Sequence, residues 1–165
     1  MMSTALAKME VHMTNIECTN YVPDIIRNVS CILNRTAHRS GSLNMEFAVS
    51  QDVIDVNGIY ILTIKQGSFL TNFTELKLEL CQLLASVESH FLLKMVTTEI
   101  RRIGNLPLEC PFKMNKRYYV KEFTINSNVI PSYIPAVNFI SDFHIFIKNR
   151  KAGRIIVRGR LLHRR

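Results

Sequence analysis

Alternation with period two is the feature that most narrows what this chain can fold into. Leu43, Met45, Phe47 and Val49 alternate with Asn44, Glu46, Ala48 and Ser50, which places the apolar set on one face of a strand and leaves the other wet. Met9, Val11 and Met13 alternate in the same way before Cys18, as do Phe139, Ser141, Phe143, Ile145 and Ile147 late in the chain. Asn57-Gly58 precedes the apolar run at residues 59–64. Because Asn-Gly tolerates the positive φ of a type I′ turn, the pair predicts a hairpin between the 43–49 and 59–64 strands. A second hairpin is predicted from the 139–147 strand, through a turn at residues 149–153, into a strand over 155–162.

Residues 74–103 break the pattern. Leu76, Leu80, Leu83, Leu84 and Val87 repeat at helical spacing, followed by Leu92, Met95, Val96, Ile100 and Ile103, which predicts two short helices or one bent one. Thr74 and Ser86 are candidate caps and Gly104 a candidate terminator. The fold expected is therefore mainly β, an antiparallel arrangement with a helical insert around residues 74–103. At 165 residues and 47% hydrophobic content the chain suits one domain, its core spanning about residues 9–162. No uninterrupted apolar run reaches the roughly eighteen residues of a membrane span, so a soluble domain is expected. No repeat or linker divides it.

Four cysteines, Cys18, Cys31, Cys81 and Cys110, form an even set without a C-x-x-C pair, which argues against zinc and for two disulfides. The alternative is four buried thiols in a reducing compartment. Of three possible pairings we expect the nearest-neighbour one, Cys18 with Cys31 and Cys81 with Cys110, each contributing roughly 3–4 kcal/mol through loop closure. Cys110 stands beside Pro111 in the run from Asn105 to Phe112, just before the strand-like Tyr118-Tyr119-Val120. A bond there would fasten a helix carrying Cys81 to the following strand. Asn28-Val-Ser30, Asn34-Arg-Thr36 and Asn72-Phe-Thr74 fit the N-glycosylation signal. Together with the cysteines they point to the secretory pathway and an extracellular protein. Residues 1–10 hold no basic stretch followed by an apolar core, so a signal has been removed or the sequence starts late.

The formal charge of +8 is confined to one end. Lys148, Arg150, Lys151, Arg154, Arg158, Arg160, Arg164 and Arg165 follow the last acid, Asp142, and the remainder balances at 13 basic against 13 acidic groups. Three readings are open. A basic C-terminal edge containing Arg154, Arg158 and Arg160 could meet an anionic membrane, at about 1 kcal/mol per basic group. It could be a solvated edge strand whose charges discourage aggregation. Nucleic acid is the weakest, since no aromatic residues interleave with the charges, and none is expected as a partner.

The order of these motifs resembles a known family. Asn15-Ile-Glu-Cys18, Asn28-Val-Ser-Cys31-Ile-Leu-Asn-Arg35, the Asn-x-Thr ahead of a cysteine-bearing helix, Leu-Glu-Cys110-Pro-Phe and the prolines Pro131 and Pro135 are similar to a large insect family. Its members are mostly described only as a domain of unknown function, akin to the chemosensory-B proteins of flies. Cys110-Pro-Phe-x5-Tyr118 resembles, more distantly, the cysteine-proline-hydrophobic motif of the ML lipid-recognition superfamily. The likeness spans about residues 14–162. It implies an immunoglobulin-like β-sandwich whose sheets part at one end to take a hydrophobic ligand. Two departures stand out: no cysteine follows Cys110, unlike the sterol carriers, and Val137 stands where the insect pattern often has glycine.

If such a pocket exists, the apolar strand faces and the aromatic residues near the prolines nominate Phe47, Ile61, Phe69, Phe123, Ile130, Tyr133, Ile134, Phe143 and Ile145 as its lining. Ordinary core packing explains the same residues. Enzyme chemistry is disfavoured. His12, His38, His90, His144 and His163 show no ligand-like spacing, and in Ser141-Asp142-Phe143-His144 the alternation of a strand puts Ser141 on the opposite face from Asp142 and His144. Neither cofactor nor metal is implied. Two functions remain. One is a secreted carrier of a lipid or pheromone-like molecule, acting in chemosensation. The other is an interaction module with a filled core that engages a receptor, glycan or anionic membrane. An intersheet void of a few hundred Å³ would separate them in favour of the carrier. The oligomeric state is left open.

Overall fold

The computed structural model describes residues 8–35, 41–83, 91–125, 130 and 133–164. Among the described residues, eight strands and two helices follow one another as β1 (Lys8–Asn20), β2 (Ile26–Asn34), β3 (Ser42–Val49), β4 (Val56–Gln66), β5 (Phe69–Glu79), α1 (Leu80–Leu83), α2 (Phe91–Ile103), β6 (Arg117–Phe123), β7 (Val137–Ile147) and β8 (Arg150–Arg164). They build two antiparallel layers. One sheet has five strands in the order β1-β8-β7-β4-β5 and the other three in the order β2-β3-β6. The expected mainly β sandwich with a helical insert is what the chain forms.

The alternating segments become strands whose apolar phase turns inward. Met9, Val11 and Met13 are buried on β1, and Leu43 and Val49 on β3. β7 and β8 form the expected hairpin, but its turn is tighter than residues 149–153. Lys148 and Asn149 make it with positive φ of 49° and 63°, and Gly153 lies inside β8, opposite Ile145.

Two expectations need correction. Asn57-Gly58 is not a turn, because both residues lie inside β4, and β3 and β4 belong to different sheets. The glycine serves close packing instead: a Cβ at Gly58 would stand 2.9 Å from the Phe143 ring on the neighbouring strand. Residues 74–79 are strand rather than helix. Thr74, Leu76 and Leu78 are half-buried and alternate with exposed Glu75, Lys77 and Glu79, so the leucines that match a helical repeat also match a strand, and pairing with β4 decides between them. Thr74 therefore caps no helix. Leu84, Ser86 and Val87 lie outside the described residues. Gly104 does end α2, through contact rather than positive φ, since a Cβ there would sit 2.6 Å from the Tyr119 carbonyl oxygen.

Both disulfides have the expected pairing. Cys18–Cys31 joins β1 of the larger sheet to β2 of the smaller, and Cys81–Cys110 fastens α1 to the segment before β6. The residues after Cys110 form an aromatic knot. Phe112 meets Tyr118 edge-on at 5.2 Å, Phe47 stacks on Tyr118 at 5.5 Å, and the buried Tyr118 hydroxyl accepts the Lys113 N–H at 2.7 Å.

The core is divided. Val22, Val49, Val53, Val56, Ile147 and Ala152 form one buried cluster, while Met9, Val11, Val137 and Leu161 form another. The register places them at opposite ends of the larger sheet, for Ile147 pairs with Arg150 at the β7–β8 turn and Val137 pairs with Leu161 at the far end.

Replacing Gly58 by alanine should destabilise the protein by about 1–3 kcal/mol through overpacking, read as a lower urea midpoint. In a Phe143→Leu background the same change should cost measurably less. An equal loss in both backgrounds would contradict the contact.

Candidate functional site: an apolar cavity between the sheets

Between the two core clusters the sheets flank a partly open apolar cavity of about 460 Å³. The inward phase of each strand supplies its wall. Tyr60, Leu62 and Ile64 come from β4, Phe139, Ser141, Phe143 and Ile145 from β7, and Ile155 and Val157 from β8. Met45 and Phe47 of β3 face them across the gap, with Val120 and Phe123 of β6. Met95, Val96 and Ile100, at helical spacing on α2, close one side.

The position of α2 follows from its C-terminal end. Gly104 bridges to Val120, and the Asn105 amide donates to the Arg117 carbonyl oxygen at 2.8 Å while its oxygen accepts the Tyr119 N–H at 2.7 Å. This ties the helix to the free side of β6. The three-stranded layer is thereby widened, and the apolar face of α2 covers space that a fourth strand would otherwise close.

Six of the nine residues nominated from the sequence line the cavity: Phe47, Phe123, Ile130, Ile134, Phe143 and Ile145. Three do not. Ile61 belongs to the outward phase of β4, because Tyr60 and Leu62 on either side of it face in. Phe69 opens β5 beside the Gly67-Ser68 turn and is 77% exposed, and Tyr133 is 84% exposed. Sequence reasoning overlooked Tyr60, Leu62, Val157 and the α2 residues. In Ile59-Tyr-Ile-Leu-Thr-Ile64 both phases are apolar, so alternation carries no signal of which one faces inward; the Gly58–Phe143 contact reveals it only in three dimensions.

The basic residues require a further correction. β8 is no edge strand, since it pairs with β1 on one side and with β7 on the other. Arg154 donates to both Asp142 oxygens, at 2.9 and 2.7 Å, and Arg158 to Glu17 at 2.9 Å; Arg160 is exposed. Two of the three nominated arginines are thus ion-paired across strands on the outer face. Asp142 also meets His144 Nε2 at 3.2 Å. Ser141, one residue earlier, faces the cavity and bonds Tyr60, which separates the three triad residue types as alternation requires. Asn28, Asn34 and Asn72 are exposed.

The chain is an antiparallel β-sandwich with an apolar space between unequal sheets. Residues 59–141, half of the sequence, match the family described as "Protein of unknown function (DUF1091)", and the chain belongs to that family. No curated protein matches it. Among solved structures it is similar to chicken MD-1 complexed with lipid IVa, at 9% identity and a TM-score of 0.43 over 92% of this chain and 97% of that one. A likeness at that score carries no argument about ligand or function.

The Arg154 hydrogen bonds hold the Asp142 carboxyl below its usual pKa, with partial burial opposing them and His144 adding to them. The folded state therefore keeps this charge to lower pH than the unfolded chain. The pair's contribution is present above about pH 4, where an unfolded aspartate is ionised, and is lost as pH falls through the depressed folded value. Asp142→Asn is expected to lower Tm at neutral pH and to flatten the acid limb of Tm against pH. An acid limb of unchanged slope would contradict this assignment.

Proposed function

We propose that this protein is a non-enzymatic, secreted carrier whose intersheet cavity holds a small hydrophobic molecule, a lipid or a pheromone-like hydrocarbon. The observation that carries the reading is the division of the core into two end clusters with an apolar space of about 460 Å³ between them. That volume falls in the roughly 300–1,000 Å³ range of small-molecule sites. Held shut and empty, a cavity of this size would cost on the order of 10 kcal/mol at about 24 cal/mol per Å³, as much as a typical domain's whole stability. Filling it with an alkyl chain instead gains about 0.8 kcal/mol for each CH₂ removed from water.

Two disulfides and three exposed asparagines in glycosylation signals support an oxidising, extracellular setting. Glycosylation at Asn28, Asn34 and Asn72, kinship with the chemosensory-B proteins and the ML superfamily, and a role in chemosensation belong to the same proposal. The interaction-module reading is weaker, because it needs a filled core and free basic groups, whereas Arg154 and Arg158 are engaged by Asp142 and Glu17.

Oxidised, glycosylated protein should copurify with a hydrophobic ligand detectable by native mass spectrometry. Val157→Trp, which projects an indole into the middle of the cavity, should weaken binding of a naphthylamine dye by roughly tenfold or more, by displacing buried ligand surface, without lowering Tm comparably. A bare polypeptide that also fails to bind the dye would refute the carrier.

A further inference from the structure

One polar pair stands apart on the cavity wall. Ser141 Oγ and the Tyr60 hydroxyl lie 2.9 Å apart, mid-strand on β7 and β4, where all other inward neighbours on those strands within the cavity are apolar. The remaining polar side chains on the lining are accounted for. Asn20 donates to the Ile26 carbonyl oxygen at 2.8 Å and accepts the Val22 N–H at 3.0 Å. Glu46 is held by Arg117, Arg154 by Asp142, and Thr97 donates to the Lys94 carbonyl oxygen. Thr19 is exposed to solvent.

Two hydroxyls sharing one hydrogen bond leave one O–H proton unspent, whichever of them donates. An unspent donor facing apolar space is costly, and a ligand that accepts from it gains what the empty wall forfeits. We infer that the cavity selects an uncharged hydrophobic ligand bearing a hydrogen-bond-accepting oxygen, such as a ketone or ester carbonyl, which docks on the Tyr60–Ser141 hydroxyl pair. The inference rests on the carrier reading and adds a specificity element to it. Burial raises the Tyr60 pKa, which keeps the phenol protonated as a donor throughout the neutral range. The charged residues along the described lining, Glu46 and Arg154, belong to the outward phases of β3 and β8 and are each paired, so an ionised carboxylate entering the cavity would find no free cation on the described wall to offset its desolvation.

The test uses the oxidised full chain and three ligands with equal numbers of carbons: decane, methyl octyl ketone and decanoate. Each is measured by displacement of N-phenyl-naphthylamine at neutral pH. Tyr60→Phe keeps the ring that packs at 6.4 Å from Phe143 and removes only the hydroxyl; Ser141→Ala is the second variant. In the double variant the ketone should bind roughly tenfold more weakly, the loss of one well-made hydrogen bond, while decane affinity stays within about twofold. Decanoate should bind wild type at least roughly tenfold more weakly than the ketone. Ketone and decane affinities that move together, or not at all, would overturn the inference, as would decanoate binding as tightly as the ketone. Absence of any binding, dye included, would overturn the carrier reading and this inference with it.

Discussion

The bond between Cys18 and Cys31 is the constraint on which the rest depends, because it joins a strand of one sheet directly to a strand of the other. In an ordinary sandwich the layers are held by side chains that interdigitate along the whole interface. Here much of that packing gathers in two clusters at the ends, and an apolar space opens between them. Covalent ties supply what the missing contacts would have given. With loops of 13 and 29 residues, each bond is worth about 3 kcal/mol or somewhat more in the loop-closure account. The second bond holds the short helix that follows β5 against the segment that leads into β6.

The unequal sheets give the gap its shape. A three-stranded layer cannot cover a five-stranded one, and α2 fills the difference from the free side of β6. Its attachment uses backbone and amide hydrogen bonds around Gly104 and Asn105 rather than an apolar plug. The helix therefore offers Met95, Val96 and Ile100 to the cavity while its basic last turn, Arg101 and Arg102, remains on the surface, where it also complements the helix dipole.

Much of this was legible in the sequence where one phase of a strand is apolar and the other polar. β1, β3 and β7 were readable for that reason, and with them the wall residues Phe47, Phe143 and Ile145. Legibility failed where two physical explanations fit one pattern. Asn57-Gly58 carries the signature of a turn, yet its glycine exists to admit the Phe143 ring. Leu76 satisfies a helical spacing with Leu80 and a strand alternation with Leu78 equally; pairing with β4 makes it strand, whereas Leu80, beyond the last paired residue Glu79, begins α1. The basic run after Asp142 looks like a free edge because the sequence does not show that β1 pairs along the length of β8. Each failure concerns a contact between residues distant in sequence, which local propensity cannot encode.

Strand alternation also explains how the protein tolerates a hollow centre. Along β7, Ser141, Phe143 and Ile145 face the cavity, while Asp142 and His144 face out and engage β8 through Arg154. On the other side of β8, Arg158 reaches Glu17 and Asn15 of β1. The outer face thus carries charge-assisted bonds that lock three adjacent strands in register. Stability is drawn from the outer face, the two end clusters and the disulfides, and none of these demands that the inner face be filled. The inner face is left free to be shaped for a guest, and the hydroxyls of Tyr60 and Ser141 are the polar feature set into the middle of its floor.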